Sequence, residues 1–487
     1  MRPKSTEILL FVLLLGTFAY FNRTEPGWNV NSRIALTYAI FEHGTVCIDG
    51  YYDGPDFGTQ DAARYNDRTY SDKAIGTSLL GLPALALVRG ISHLSGTKLS
   101  VPWERYWITT LSVGLIAAAT SVVFLRLLLV LQRRRSGEES SGAPLLITLL
   151  LFAASPLLYY SSLFMAYLPA LFFALLAVYV FENHSHNSPL SKSSATPPFF
   201  LAGLLMGVSV LCENLMGMLA VAFWIYALTV STNRRNAWKY VIGGFLGVLP
   251  FIIYCYAIFG RLAIPYQYHL NPIFAQSMAR GLLGATVPDF AALVLLTVHP
   301  YRGIFVHCPF LVPGLIGLIW FCRNSEMRPW ALLSLSVFFA YLLFNSAYYM
   351  WWGGWSFAPR HLIPMLPFLA TGLLAITHRS SGRLAILLLG LPALALHLLV
   401  NSVDPQIRDL LGGMKLRMLM IPDLRFDYEW TLPEIWRRFT VGETDVNLGS
   451  IFGLSGPLSL LPLILFWIAM LALMRHSLAG QNAPKSV

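Results

Sequence analysis

The feature that most constrains this chain is a series of long apolar windows recurring from one end to the other. They fall at residues 8–21, 106–131, 145–160, 163–181, 199–215, 216–230, 240–259, 303–321, 330–345, 361–377, 384–400 and 454–474. Each is roughly long enough to cross about 30 Å of hydrocarbon. A bilayer offers no water to backbone N–H and C=O groups, so such windows fold as helices that satisfy their own backbone. Only 12% of the residues are charged, about half of the roughly 25% usual in soluble domains. No small-residue cleavage site follows Phe21, so the first window reads as an uncleaved span with its N-terminus in the cytoplasm.

One further apolar stretch, 74–91, is interrupted by Gly76, Gly81, Pro83 and Gly90, and helix propensity does not decide its place. Loop charge does. If 74–91 spans, then Arg133 to Arg135, Arg234 with Arg235, Arg323 with Arg328 and Arg379 with Arg383 all fall outside. If it lies on or dips into the outer surface, those loops share the cytoplasm with the basic N-terminus, as the positive-inside rule demands. The expected fold is therefore an all-α polytopic membrane protein of about twelve transmembrane helices, with both termini inside and juxtamembrane helices in the first outer loop. Residues 1–401 form the transmembrane core with that loop at 22–105, 402–453 an outer-face region, and 454–487 the last span and cytoplasmic tail. The net charge of +10 then reflects basic cytoplasmic loops and anionic headgroups rather than nucleic acid. The cysteines (Cys47, Cys212, Cys255, Cys308, Cys322) show neither paired nor zinc-type spacing.

All the large loops (22–105, 260–302, 348–360 and 401–453) face outward in this arrangement, so the chemistry is expected there. That compartment holds no ATP or soluble sugar nucleotide, and a group donor would have to be carried on a lipid. The first loop concentrates acids: Glu42, Asp49, Asp53, Asp56, Asp61, Asp67 and Asp72, from a total of 24 in the chain. Carboxylates can act as general bases or hold a divalent cation; an isolated Asp in a turn more often caps backbone. Asp49 and Asp61 stand out, and the residues alone do not choose between them. Lys73 could neutralise a lipid phosphate or anchor a helix to headgroups. The stretch Trp351-Trp352-Gly353-Gly354-Trp355 to Arg360 reads as a shaped loop, with Arg360 suited to bidentate phosphate binding and Arg302 as an alternative. Trp351, Trp352, Trp355, Tyr268 and His269 are candidates for sugar or lipid contact. Glu213, near the outer end of its span, is another, because intramembrane acids are costly and are functional candidates by default.

Several stretches together resemble the C-type integral-membrane glycosyltransferases, which include protein O-mannosyltransferases and aminoarabinose transferases. They are the acidic first loop, Tyr70-Ser71-Asp72-Lys73-Ala74-Ile75-Gly76, Phe259-Gly260 before an aromatic stretch, Arg302-Gly303 before Cys308-Pro309, and Trp351 to Arg360 followed by Pro364 and Pro367. The sequence departs from the family where an acidic pair is common, which here reads Trp28-Asn29-Val30-Asn31, and again at Ile75 and Ala358. The resemblance implies inverting transfer of a sugar from a polyprenyl-phosphate donor to a hydroxyl acceptor on a lipid, glycan or protein. The site would face outward in the plasma (inner) membrane of the cell envelope, with a first-loop Asp as base. No metal-ligand cluster is legible, so no cofactor is expected, although a divalent cation is compatible with the acids. A twelve-span transporter and a non-catalytic lipid-binding protein are the rival readings.

Overall fold

The computed structural model describes residues 5–22, 27–137, 142–187, 198–231, 233–404, 432–444 and 447–482. Most of the expected outer-face region 402–453 lies outside them. The chain is a multi-pass membrane protein built of helices, with a single two-stranded sheet among the described residues. Seven helices are long and apolar enough to cross a membrane by length and composition. Shorter apolar helices, such as Ser5–Ala19 and Phe199–Cys212, accompany them. The stretch read as a surface helix forms Gly76–Ser95, which meets the same length-and-composition criterion.

Three expected windows are interrupted, each at proline. Window 145–160 becomes Gly142–Ala153 and Leu157–Tyr160, broken at Pro156. Window 303–321 becomes Ile304–His307 and Leu311–Phe321, broken at Pro309. Window 361–377 opens as a 3-10 turn, Arg360–Met365, that contains Pro364, before the short helix Leu366–Thr371. Proline lacks the N–H that would continue a helix and clashes with the preceding turn. Elsewhere helices close to backbone contact. A Cβ at Gly203 would lie 2.0 Å from the Tyr240 carbonyl, and one at Gly243 2.2 Å from that of Phe200. Helices Phe199–Cys212 and Trp238–Phe259 therefore depend on small residues where they cross, as is common for membrane helices.

The first loop has its own architecture. Helix α1 (Ser5–Ala19) is followed by α2 (Trp28–His43), which ends at Gly44 with φ 62°, a left-handed cap that glycine adopts without strain. The hairpin β1 (Ala62–Tyr65) and β2 (Arg68–Ser71) comes next, then α3 (Gly76–Ser95). The hairpin turns on Asn66 and Asp67, whose φ angles of 48° and 59° fit the type I′ turn whose twist matches paired strands. Strand pairing runs from Tyr65 opposite Arg68 to Ala62 opposite Ser71. One step beyond that last pair, Asp61 faces Asp72. On the outer edge of β1, His269 bridges to Ala63, and the Leu270 N–H donates to the Ala62 carbonyl at 2.8 Å. That bridge carries a residue roughly two hundred positions away into the first loop. Helix α3 packs on α2 through the Ser78 hydroxyl, which donates to the Arg33 carbonyl at 2.9 Å.

Candidate active site

A cavity of about 250 Å³ opens where these pieces meet. Its walls come from the start of α2 (Trp28, Asn29, Arg33), the two ends of the hairpin (Asp61, Asp72, Lys73), the Glu213–Leu215 break between helices, and the loop bearing Trp355 and Arg360. Residues far apart in the chain thus converge on one hollow.

The acids form its most polar wall. Lys73 Nζ sits 2.8 Å from Asp61 Oδ2 and 2.8 Å from Asp72 Oδ2. His269 Nε2 lies 4.0 Å from Asp61 Oδ1 and 3.9 Å from Asp72 Oδ2. The two carboxyls are not equivalent, because the Asp61 side chain keeps 21% exposure and that of Asp72 none. Burial would raise the Asp61 pKa, but the Lys73 charge and the His269 ring outweigh it and hold that carboxyl below the ordinary aspartate range. For Asp72, burial wins and the pKa is raised, with the neighbouring Asp61 charge acting the same way. Paired carboxyls whose surroundings push their pKa values apart take different protonation roles. Asp61 is the ionised, accessible member. Asp61, Asp72 and His269 each offer a ligand atom within 4.8 Å of the others, a spacing compatible with a metal ion.

Across the cavity, Arg360 is cradled by Gly353 and Gly354, both at positive φ (80° and 69°). A Cβ at Gly353 would come within 3.0 Å of Arg360 Cγ. The Arg360 Nε is buried without a hydrogen-bond partner, and no carboxylate forms an ion pair with this guanidinium among the described residues. A half-buried cation in that condition, facing a cavity, is poised to take an anion. Arg33 is instead committed: it donates to the Ala74 carbonyl at 3.0 Å and to Asn29 Oδ1 at 3.2 Å, and approaches Glu213 at 3.8 Å. Trp355 packs against Trp28 at the rim, with ring centroids 4.8 Å apart.

Of the residues singled out from sequence, Asp61, Lys73, Arg360, Trp355 and Glu213 line the cavity, and His269 stands behind the acids. The others lie elsewhere. Asp49 accepts the Thr69 backbone N–H at 2.7 Å and the Cys47 thiol at 2.8 Å, pinning the hairpin from behind. Arg302 is buried and donates to the Trp352 and Gly354 carbonyls at 3.0 and 3.3 Å, so it shapes the loop that presents Arg360. Trp351 is buried in the core, and Trp352 lines a neighbouring hollow. Tyr268 stacks on Phe259 at 4.5 Å, away from the cavity. Sequence reasoning passed over Asp72, Arg33 and Tyr266. A signal for Asp72 existed: residues 61 and 72 are equidistant from the Asn66-Asp67 turn. Tyr266 faces Lys73, whose Nζ is 5.1 Å from the ring centre; only the fold reveals that.

No protein-family model matches the sequence, and no curated protein matches it. Solved structures do. ArnT from Cupriavidus metallidurans in the apo state aligns over 97% of this chain and 73% of its own, with a TM-score of 0.51 and 15% identity. The same enzyme bound to undecaprenyl phosphate aligns over 98% and 77%, again with a TM-score of 0.51 and 15% identity. The chain has the C-type glycosyltransferase fold. An oligosaccharyltransferase from Archaeoglobus fulgidus matches more loosely, over 87% of this chain and 56% of its own, with a TM-score of 0.47 and 14% identity. Within this fold the acid-bearing first loop of this chain lies against the loop that carries Trp355 and Arg360. In this chain that juxtaposition sets Asp61 across the cavity from Arg360.

Proposed function

We propose that the chain is an extracytoplasmic glycosyltransferase that moves a sugar from a polyprenyl-phosphate donor to a hydroxyl acceptor. The observation that carries this reading is the pairing, in one cavity, of an accessible ionised Asp61 with an Arg360 that has no anionic partner. The ArnT structure with undecaprenyl phosphate bound supports a polyprenyl-phosphate ligand for this fold. The positive-inside rule supports an outer-face position for the cavity, in the plasma membrane.

In this mechanism the donor phosphate lies against Arg360. The acceptor hydroxyl attacks the anomeric carbon from the face opposite the phosphate and gives its proton to Asp61. The bond from the anomeric carbon to the phosphate oxygen breaks, and the electron pair leaves on the polyprenyl phosphate. That group gains one negative charge, which the Arg360 guanidinium is placed to stabilise. Trp355 and Trp28 offer an aromatic face to the sugar, and Glu213 with Asn29 offers polar contacts beside it.

The test compares envelope lipids and glycans from a deletion strain complemented with the wild type or with Asp61→Asn. The proposal expects one glycoform to vanish in the deletion strain, return with the wild type, and stay absent with the folded variant. An unchanged profile on deletion, or full restoration by Asp61→Asn, would overturn it.

A further inference from the structure

By distance alone, Asp61, Asp72 and His269 look like a three-ligand metal site. Two features of the atoms argue against it. A metal-binding histidine offers one ring nitrogen to the ion and donates the N–H of the other to a neighbouring acceptor. His269 does the reverse: its Nδ1 accepts the Asn271 backbone N–H at 2.9 Å. That bond leaves the ring proton on Nε2, the nitrogen aimed at the two carboxylates. Moving the proton to Nδ1 would set two N–H groups against each other. The backbone there is in no position to yield. Leu270 is tied to Ala62, and the Asn271 side chain caps the following helix by accepting from the Ile273 N–H at 3.0 Å. His269 therefore turns an N–H toward the acids, 3.9–4.0 Å away and without a hydrogen-bond partner, and offers no lone pair to a cation.

The second feature is Lys73. Its ammonium touches one oxygen of each carboxylate at 2.8 Å, which is where an ion bridging the pair would sit. The side chain is only 10% exposed. Among the described residues, no other cation makes an ion pair with either acid, apart from the histidine. Two carboxylates side by side, one of them fully buried, require a compensating positive charge, and the chain supplies one covalently.

We infer that the Asp61–Asp72 pair is a cation site occupied by the protein's own Lys73, with the N–H edge of His269 turned toward it, and that it excludes a divalent metal. The inference concerns the acid wall itself and does not depend on which sugar, if any, is transferred.

The experiment is an Mn²⁺ titration of the purified full-length chain in detergent, followed by electron paramagnetic resonance of the free ion. The wild type should show no saturable uptake. Lys73→Met should take up one Mn²⁺, and Lys73→Met/Asp72→Asn should lose it again. Adding His269→Ala to Lys73→Met should leave uptake unchanged, because the ring is not a ligand. Monodisperse elution and an unaltered helical circular-dichroism spectrum qualify each variant as folded. Saturable binding of one ion by the wild type would overturn the inference. So would a folded Lys73→Met that binds none, or loss of its binding on His269→Ala. No sugar donor enters the measurement, so its failure would leave the transfer proposal standing, and failure of transfer would leave this result standing.

Discussion

Two clusters of opposite charges within the molecule differ in one instructive way. At the far end of the helix that begins at Val101, Arg134 donates to Glu182 at 3.1 Å and to the Tyr226 hydroxyl at 3.2 Å, while Tyr226 donates to Glu182 at 2.7 Å. Donors and acceptors close on one another in a triangle between helices. The cluster at Asp61, Asp72 and Lys73 is left open: it has an acid in excess of its lysine, lines a cavity, and looks across it at an Arg360 that makes no ion pair among the described residues. A closed triangle has its interactions spent on holding helices together. An open cluster keeps an anion and, across the cavity, a cation for something that arrives. Burial of charge alone does not mark a functional site; unspent charge facing a hollow does.

Substitutions can break this contrast. Asp61→Asn should cut transfer by a factor of about 10²–10⁴, the usual worth of a positioned general base, in protein that still elutes as a folded monodisperse species. Glu182→Ala should do the opposite. It leaves the half-buried Arg134 without its carboxylate and should cost about 1–3 kcal/mol of stability, seen as a lowered unfolding midpoint in detergent, while transfer per folded molecule holds. Arg360→Ala should weaken binding of a polyprenyl phosphate by roughly 10- to 100-fold, in line with loss of a charge-assisted contact worth about 1.5–3 kcal/mol. Isothermal titration reads that change. Asp49→Ala removes an acceptor for one backbone N–H and should cost about 1 kcal/mol of stability without touching chemistry.

Acidity sharpens the same comparison. The pKa of Asp61 is depressed in the folded chain, so its carboxylate should remain ionised below the ordinary aspartate value of about 3.9. The transfer rate should therefore hold as pH falls to that value and decline only beneath it. The stabilisation from this group is present above its unfolded pKa and is lost as pH falls through its folded one. Asp72 works in the other direction, because its raised pKa means that protonation relieves a cost. Lys73→Met removes the main influence that lowers the Asp61 pKa, so the acid limb of the rate profile should move to higher pH.

Much of this was readable in the chain. Apolar windows set the membrane character, and the acid-rich loop and the Trp-Gly-Gly-Trp stretch marked both sides of the cavity. Asp61, Lys73, Glu213, Trp355 and Arg360 could be named from residue type and neighbours alone. Asp49 could not be separated from Asp61, because both sit in turn-like sequence and only their partners differ: a backbone N–H and a thiol for one, a lysine and an open cavity for the other. His269 reaches the acids through a single strand bridge that leaves no local pattern in sequence. Arg302 has the composition of a phosphate ligand, yet its donors are spent on two carbonyls of the next loop. Proline breaks inside apolar windows were foreseeable from Pro156 and Pro309, but windows scored by hydropathy pass over them.

The register of the small hairpin acts as a ruler. Asp61 and Asp72 face each other because the same number of residues separates each from the turn. An insertion of one residue in either strand would slide the acids out of opposition and turn one of them to the other face of the sheet. Matched insertions of two residues in both strands would preserve the pairing and move it about 7 Å further from the turn. Homologues of this chain should therefore tolerate length changes here only in balanced pairs.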